Sequence, residues 1–433
     1  MKKYICILWL LAGVASCDVL EMTPLDKISE ADTWTDQALI QTYVNGSYNA
    51  VQHGFGRAMI SVASDDAYSI FNNAGFYFAQ LGTLTSDNVT GMDARLNLWT
   101  YAYGYIRNIN TFFEKIEEAP VDGDFKNAAI GEMKFIRAYV YAGLIWLYGG
   151  VPLITKTFQL NEDYAVTRSS YDECVNFIVA ELDDAMLRLP ARQPDSQKGR
   201  ASGDACRALK ARVLLYAASA LNNPDGDRSK WQRAADAIEP LLNAGYELHG
   251  DYRSTFLTDN SEIIFARYFT SSVSHNFQYI NGRSGSNGGG EGCPLHNLVN
   301  AYEMASTGLL PYSEEADGTL TLNTASGYDP DHPYDGRDPR FDATILHDGS
   351  MWQGRETETF HGGLDSPESS VAPWNASLTA YCYKKFIIED VLVVGAAVNQ
   401  TNPWIYFRYG EALLNYAEAK FELGDEEAAR EYL

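Results

Sequence analysis

Basic residues are scarce in this chain of 433 residues, which has 33 Lys and Arg against 57 Asp and Glu and a net charge of −24 at pH 7. Such a surface repels nucleic-acid phosphates, which argues against any function in binding nucleic acid. It argues equally against docking on an anionic lipid surface through charge. The charge balance suits a neutral ligand or a protein partner instead.

Motifs for metals and cofactors are also missing. The seven histidines include no His-Glu-x-x-His and no close pair for zinc. The glycine-rich residues 282–290 lack the Gly-Lys-Ser/Thr of a phosphate loop, and they are interpreted as a flexible or ligand-facing loop. Residues 223–227 could offer oxygens to calcium, but without the rest of an EF-hand loop they are predicted to be an ordinary turn. No cofactor and no metal site is predicted.

Cysteine is rare and its spacing is uninformative. Beyond the N-terminal region the chain has Cys174, Cys206, Cys293 and Cys382, without the close pairs of a zinc site. Their disulfide connectivity stays open. Cys174 and Cys206 lie in helical patterns and are predicted to be small buried residues.

Long apolar runs are absent apart from one near the N-terminus. Residues 4–14 carry no charge and follow Lys2 and Lys3, but the run is well short of the ~20 residues that span a bilayer. A positive start followed by a short apolar run is typical of a secretory signal. Residues 1–16 are therefore predicted to be a signal peptide.

Small residues precede the first cysteine after that run. Ala15 and Ser16 ahead of Cys17 resemble the lipobox of bacterial lipoproteins, in which the cysteine is acylated. Cys17 is thus the candidate lipid-attachment site, and residues 17–28 are predicted to be a lipidated tether. The alternative is an ordinary signal peptide with an incidental cysteine.

Helical periodicity dominates residues 29–270 and predicts a mainly α fold. Residues 132–148 are apolar on nearly every face and indicate a central buried helix, which ends at Gly149 and Gly150. Repeated helix pairs with short turns predict a tetratricopeptide-like helical-hairpin scaffold. Further helices are expected at about residues 29–47, 94–119, 171–188, 203–221 and 231–244, with a short strand at 262–265.

Residues 271–403 have a different character, rich in Gly, Ser, Asn and Pro. They predict a long irregular loop region with a short helix at 295–304 and an edge strand at 381–388. Regular helix is expected to return at residues 404–423. Residues 404–433 are interpreted as the start of a C-terminal helical repeat in a chain that is truncated.

A series of short motifs extends from the predicted mature start to the last helices. The motifs are residues 17–21 with Pro24, 134–139 (Lys-Phe-Ile-Arg-Ala-Tyr), 148–154 (Tyr-Gly-Gly-Val-Pro-Leu-Ile), 208–216, 298–304, 336–341 (Gly-Arg-Asp-Pro-Arg-Phe) and 407–409 with 413–419. Together and in this order they resemble the SusD/RagB family of outer-membrane nutrient-binding lipoproteins.

The resemblance implies a function and a location. SusD-like proteins are not enzymes, sit on the outer face of the outer membrane, and cap a SusC-like TonB-dependent transporter. They capture oligosaccharides, or sometimes peptides, for import. This chain is therefore expected to be a lipid-anchored, extracellular-facing protein that binds a glycan and delivers it to such a transporter.

A sugar ring packs its apolar C–H face on an aromatic ring, while its hydroxyls need amide or carboxylate partners. Rings in polar loops are therefore the candidate ligand contacts, although such rings also pin loops to a scaffold. The candidates are Phe76 and Tyr77 beside Asn72 and Asn73, Phe277 and Tyr279 beside Asn276 and Asn281, and Tyr312, Trp352 and Trp374.

Charged residues of the family-like motifs have a different interpretation. Arg137, Arg337, Asp338 and Arg408 are expected to form a buried structural charge network rather than a site. The rival functions are binding of a peptide or other nutrient in the same role, a purely structural scaffold, and a secreted glycoside hydrolase. A hydrolase needs two carboxylates at a defined separation, which a sequence with 57 acidic residues cannot identify.

Overall fold

A computed structural model describes residues 30–56, 59–71, 75–89, 93–395 and 398–433. The predicted signal peptide, Cys17 and the tether therefore lie outside the described residues, as do Asn72 and Asn73. Within the described ranges, the search for membrane spans finds no helix with the length and apolarity needed to cross a bilayer.

Helices form most of the regular structure, which confirms the predicted mainly α fold. In chain order they are α1 (Glu30–Thr33), α2 (Gln37–Ser47), α3 (Phe76–Gln80), α4 (Leu98–Ile116), α5 (Gly123–Tyr148), α6 (Tyr171–Arg188), α7 (Gly203–Ala218), α8 (Arg228–Leu242), α9 (Phe277–Asn281), α10 (His296–Asn300), α11 (Pro339–Thr344), α12 (Tyr409–Glu422) and α13 (Glu426–Tyr432).

The long helices pack in a continuous stack, as expected for tetratricopeptide-like hairpins. Helices α4 to α8 each contact the next in sequence order, α12 then packs on α8, and α13 packs on α12. The predicted central helix is α5, which contacts both α4 and α6 and has buried residues on every side. It begins earlier than predicted because the Asp122 side chain accepts from the Phe125 N–H and caps it at Gly123.

Buried charge joins the central helices. The Arg137 guanidinium lies 2.6 Å from a carboxylate oxygen of Glu181 on α6 and donates to Asn110 on α4 at 2.9 Å. Lys134 donates to the same carboxylate at 2.8 Å. Arg137 and Lys134 on α5 therefore bind Glu181 on α6, and Arg137 also binds Asn110 on α4, so these contacts hold three helices together.

Short antiparallel strand pairs complete the structure. The described pairs are β1 (Ala67–Ser69) with β3 (Gly292–Pro294), β2 (Ile263–Arg267) with β10 (Trp404–Arg408), β4 (Tyr312–Glu314) with β5 (Leu320–Leu322), β6 (Ile345–Leu346) with β9 (Cys382–Tyr383), and β7 (Met351–Trp352) with β8 (Arg355–Glu356).

The prediction of helix from residue 404 is wrong at its start, where the chain forms β10 instead. Trp404 to Arg408 is rich in aromatic and β-branched residues, which favour a strand when a partner is present. That partner is β2, far away in sequence and thus invisible to a local pattern.

Other expected elements are shorter than predicted. The helix expected at 29–47 is interrupted between α1 and α2, where Asp36 caps the second piece through the Ala38 N–H. The helix expected at 295–304 is limited to α10, and the strand expected at 381–388 to β9.

A second hydrophobic core lies outside the helical stack, under the loop region. Its centre is Phe55, whose ring stacks on His275 at 4.0 Å and lies 5.3 Å from that of Phe277. The buried members are Phe55, Val62, Ala67, Phe76, Phe269, Phe277, Leu346, Trp352, Cys382, Tyr383 and Ile387.

Arg212 on α7 joins the two parts of the helical stack that the loop region separates in sequence. Its guanidinium donates to both carboxylate oxygens of Glu411 on α12, at 2.6 and 2.5 Å, and to the Tyr406 carbonyl at 2.8 Å. We expect Arg212→Met to lower the free energy of unfolding by about 1.5–3 kcal/mol, because these charge-assisted bonds are lost. Urea denaturation measures the change, and amide hydrogen exchange should accelerate most in α12.

Arg233→Met is the matched control, since this exposed arginine donates to Asn176 at 3.3 Å and to no other described residue. An equal loss of stability in both variants would contradict a specific role for Arg212.

Burial lowers the pKa of His275 to about 4, partly offset by its hydrogen bonds to Asn402. The folded state therefore holds a neutral ring while the unfolded chain takes a proton below about pH 6.5. Stability from this group is complete above pH 6.5 and is lost as the pH falls towards 4. We expect it to contribute about 2 kcal/mol to the loss of stability between pH 7 and pH 5.

Thermal or urea unfolding at the two pH values measures this effect. His275→Gln keeps a donor for Asn402 without titrating, so its stability should depend less on pH. His361→Gln, at a strongly exposed position, should behave like the parent protein. A parent-like pH dependence in His275→Gln would refute the assignment.

Candidate functional site

The structure divides the predicted ligand rings into anchors and exposed rings. Phe76, Phe277 and Trp352 belong to the second core, with at most 2% of their surface exposed. A loop region poor in aliphatic residues uses these rings to attach its segments to the core. Their predicted contact with ligand is therefore not supported, because no face of these rings reaches the surface.

Exposed rings lie close to those anchors in sequence. Trp374 is 69% exposed and Tyr77 is 42% exposed, while Tyr279 and Tyr312 are half-buried. Tyr77 follows the anchor Phe76 on α3, and its ring contacts that of Phe78 edge-on at 6.1 Å. These four rings remain candidates for ligand contact.

The glycine-rich residues 282–290 form the structural centre of this surface, and the expectation that they are a flexible or ligand-facing loop is wrong. Most of the segment is buried. The Gly289 N–H donates to the Tyr279 carbonyl at 2.6 Å, and the Gly290 N–H donates to the Gly282 carbonyl at 3.0 Å. Glycine is needed because the chain folds back on itself without space for side chains.

Two further segments contact the end of that centre. β1 pairs with β3, the Ile70 N–H donates to the Glu291 carbonyl, and α3, which carries Tyr77, packs against β1. Gly290 lies against Asn375, next to Trp374. We call the surface formed by the exposed side chains of residues 75–84 and 371–378 the loop surface. Tyr312 lies apart from it, on the β4–β5 hairpin, where its ring contacts Tyr328.

A buried carboxylate holds the loops beneath this surface. Asp365 accepts two hydrogen bonds from Arg355, at 2.7 and 2.9 Å, and one from the Gly285 N–H at 3.0 Å. It also accepts from the Glu358 N–H at 2.9 Å. The bonds from Arg355 and Glu358 close the loop of residues 355–365, and the bond from Gly285 ties that loop to the glycine-rich segment.

Arg283 adds a second buried charge beside Asp365. It donates to the Trp352 carbonyl at 2.6 Å and to the Thr357 hydroxyl at 3.0 Å. Burial lowers the pKa of Arg283 to about 10, and the nearby Asp365 opposes that shift. The side chain remains charged at neutral pH and fixes the anchor Trp352 in place.

Buried amides connect the remaining loops. The Gln278 N–H donates to the Gln400 side chain at 2.5 Å, and the Gln278 side chain accepts from the Ile388 N–H at 2.8 Å. Both glutamines are almost fully buried. Sequence reasoning missed them, because a single buried glutamine in an irregular segment has no periodic pattern.

Exposed apolar side chains accompany the rings on the loop surface. Leu81 follows Tyr77, and Val371 and Leu378 flank Trp374, all at least 40% exposed. Sequence reasoning missed these residues as well. A large ring with neighbouring apolar side chains in one loop was the sequence pattern that could have identified them.

The expected charge network is instead a set of separate local contacts. Arg137 bonds Glu181 inside the helical stack, and Arg408 bonds Glu262 beside β2. Arg337 donates to the backbone carbonyls of Pro333, Val299 and Tyr302. Asp338 caps α11 and pairs with Arg340. Each has a structural role, but among the described residues no chain of hydrogen bonds or ion pairs joins the four.

The remaining predicted features have structural roles. The side-chain oxygen of Asn223 accepts from the Asp227 N–H at 2.8 Å, and Asp227 caps α8, so residues 223–227 form a turn and a cap. In the described parts of the chain no three His, Cys, Asp or Glu side chains form a group suited to a metal ion. Cys174, Cys206, Cys293 and Cys382 are buried free thiols.

Two family models match the chain. One, described as "SusD family", matches residues 259–433. The other, described as "Starch-binding associating with outer membrane", matches residues 20–215. Between them they include the loop region and most of the helical stack, although α8 lies between the two matched ranges.

Individual proteins are similar as well. SusD-like protein P25 of Formosa agariphila is 23% identical over 300 residues, which cover 64% of this chain and 54% of that protein. This chain thus spans about half the length of the curated relatives that it matches.

Solved structures match over more of their length. A SusD-like protein of Bacteroides fragilis is 29% identical with a TM-score of 0.74, over 94% of this chain and 80% of its own. A second structure from B. fragilis, described as a SusD-like carbohydrate-binding protein, is 22% identical with a TM-score of 0.73, over 90% of this chain and 75% of its own. Sequence and structure agree that the chain belongs to the SusD/RagB family.

Proposed function

We propose that this chain binds a glycan on its loop surface without turning it over. The observation that carries the proposal is Trp374, a large exposed ring on a turn that packs closely against Gly290. An exposed indole offers an apolar face to the C–H bonds of a sugar. Support comes from the starch-binding description of one matching family model and from the carbohydrate-binding relative.

The geometry of the loop surface suits an extended ligand rather than a small enclosed one. Tyr77 lies on α3 and Trp374 lies on the separate turn Pro373–Asn375, so two different segments present the exposed rings. The buried Asp365 and Arg283 limit the motion of the loops below, so little order has to be gained on binding. A polysaccharide can contact both rings while its hydroxyls remain largely in water.

We also propose the location and the partner. In this role the chain is a lipoprotein attached through Cys17 to the outer membrane, faces the medium, and delivers its glycan to a SusC-like TonB-dependent transporter. The family description that names the outer membrane supports this placement. Binding of a peptide in the same role is the alternative.

Native gels that contain a panel of polysaccharides test the function. We expect retardation by at least one glycan and no release of reducing ends during incubation. Retention by peptides alone would contradict glycan binding, and release of reducing ends would contradict a non-catalytic role.

The same gels test the loop surface. We expect Trp374→Ala and Tyr77→Ala each to weaken glycan binding about tenfold, because each removes an exposed stacking face. Phe421→Ala removes an equally exposed ring from α12 and serves as the control. Circular dichroism should be unchanged in all three variants. Loss of binding in Phe421→Ala, or full binding in both loop variants, would contradict the assignment.

Gly290 offers an independent test of how Trp374 is positioned. A Cβ at Gly290 would lie 2.1 Å from the Asn375 carbonyl oxygen, and the residue has a φ of +51°. We expect Gly290→Ala to displace the turn that carries Trp374 and to reduce both stability and glycan binding. Gly308→Ala is the matched control, because Gly308 has a φ of +66° but nothing within 4 Å of its Cβ position.

Both alanine variants share the backbone strain of a positive φ, so their difference isolates the steric contact with Asn375. Urea denaturation and gel retardation measure the two effects. Equal binding by the two variants would show that Trp374 does not depend on Gly290.

A further inference from the structure

A second candidate surface lies on the helical stack and uses none of the residues of the loop surface. Residues 151–169, here called the strap, run in irregular conformation between α5 and α6 and pass over α4. Asn110 holds the strap near its start by donating to the carbonyls of Ile154 and Lys156, at 3.0 and 3.1 Å. Arg168 holds its end by donating to the carbonyls of Tyr148 and Gly150.

Between these anchors the strap stands away from α4 and leaves a cleft of about 720 Å³. That volume is in the range of sites that hold small ligands. The helix side of the cleft includes Tyr103, Arg107, Thr111 and Lys115, which are spaced four residues apart on one face of α4, together with Ile106 and Glu114. On the strap side it is formed by residues 156–160 and Tyr164.

The charge of the cleft is opposite to that of the protein. Its lining includes three basic side chains, Arg107, Lys115 and Lys156, and one acid, Glu114, although the whole chain carries −24. The Glu114 carboxylate is occupied, because it accepts from the Thr157 N–H at 2.7 Å and from the Thr157 hydroxyl at 2.6 Å. Its oxygens therefore serve to hold the strap.

Arg107 is the basic group best placed for a ligand. Its side chain is exposed, and no hydrogen bond or ion pair of its guanidinium is found within the described residues. Lys156 by contrast is 2.9 Å from Glu162. A guanidinium binds carboxylate or sulfate through two parallel hydrogen bonds, so Arg107 favours an anionic group in the cleft.

An aromatic ring faces the same space. Tyr164 is 56% exposed, and its hydroxyl donates to the Gln159 carbonyl at 2.9 Å. Its ring also contacts Phe158 at 5.6 Å in an edge arrangement. These two contacts hold the Tyr164 ring in position, with one face available for stacking.

From this combination we propose that the cleft binds an anionic sugar residue, either a uronate or a sulfated sugar, in addition to the glycan on the loop surface. Tyr164 stacks on the C–H face of the sugar, and Arg107 binds the acid group. The proposal rests on the glycan-binding function proposed above but uses different residues, so separate variants test the cleft and the loop surface.

Calorimetric titration of the full chain tests the proposal with three probes: an oligogalacturonate, a sulfated oligosaccharide and a neutral oligosaccharide. We expect at least one anionic probe to bind, and Arg107→Gln to raise its Kd about tenfold. Tyr164→Ala should raise the Kd similarly, while Tyr164→Phe retains binding. Arg430→Gln, which makes the same charge change on α13 at an exposed position, should leave the Kd unchanged.

Trp374→Ala separates the two surfaces. It should leave the Kd of the anionic probe unchanged and raise the Kd of the neutral glycan about tenfold, whereas Arg107→Gln should do the reverse. No binding of either anionic probe would overturn the proposal for the cleft, as would anionic binding that Trp374→Ala abolishes and Arg107→Gln spares. Undiminished binding of the neutral glycan by Trp374→Ala, with the anionic site intact, would instead overturn the role of the loop surface.

Discussion

The pairing of β2 with β10 is the contact on which the rest of the structure depends. The chain leaves the helical stack after α8 and must return so that α12 can pack on α8. Closing so long a loop has an entropic cost, which the strand pair and its neighbours have to offset. Without this closure the stack would end at α8 and expose the face that α12 covers.

Glu262 reinforces the closure at the start of β2. Its side chain accepts from Arg408 at 2.5 Å, from the His249 N–H at 3.1 Å and from the Gly410 N–H at 3.3 Å. Its carbonyl accepts from the Tyr409 N–H at 2.8 Å. One almost fully buried residue thus joins the departing chain to the first turn of α12.

Polar contacts rather than aliphatic packing organise the loop region above that closure. Asp365, Arg283 and Gln278 are buried and bonded to several different segments. Such groups are costly to bury unless every partner is present, so a wrong arrangement of the loops leaves charges or amides unpaired. The loops are therefore held in one arrangement, which keeps the rings of the loop surface in fixed positions.

The helical stack could be predicted from sequence because its signals are local. The two ends of α6 were predicted correctly, since Ser170 and Glu173 form a capping box and Leu189 and Pro190 follow the helix. The start of α12 could not be predicted, because residues 404–408 become a strand only in the presence of β2. The residues that make 404–408 a strand are those of β2, which lie about 140 positions earlier in the chain.

The distinction between Trp352 and Trp374 shows the same limit at the candidate site. Both are tryptophans in polar loops and have similar sequence surroundings. Trp352 is buried because its ring belongs to the second core and its carbonyl accepts a hydrogen bond from Arg283. Trp374 is exposed on a turn whose neighbouring residue, Asn375, packs against Gly290. A sequence can nominate such rings, but only long-range contacts decide which ring anchors a loop and which can meet a ligand.

Net charge limits how the proposed cleft can act. At physiological ionic strength the Debye length is about 8 Å, so the negative surface repels an acidic glycan mainly at close approach. Added salt weakens this repulsion and also the attraction of Arg107, and the two effects oppose each other. Recognition in the cleft therefore depends on short-range stacking and paired hydrogen bonds rather than on electrostatic steering. The fixed ring of Tyr164 beside an exposed guanidinium supplies both contacts.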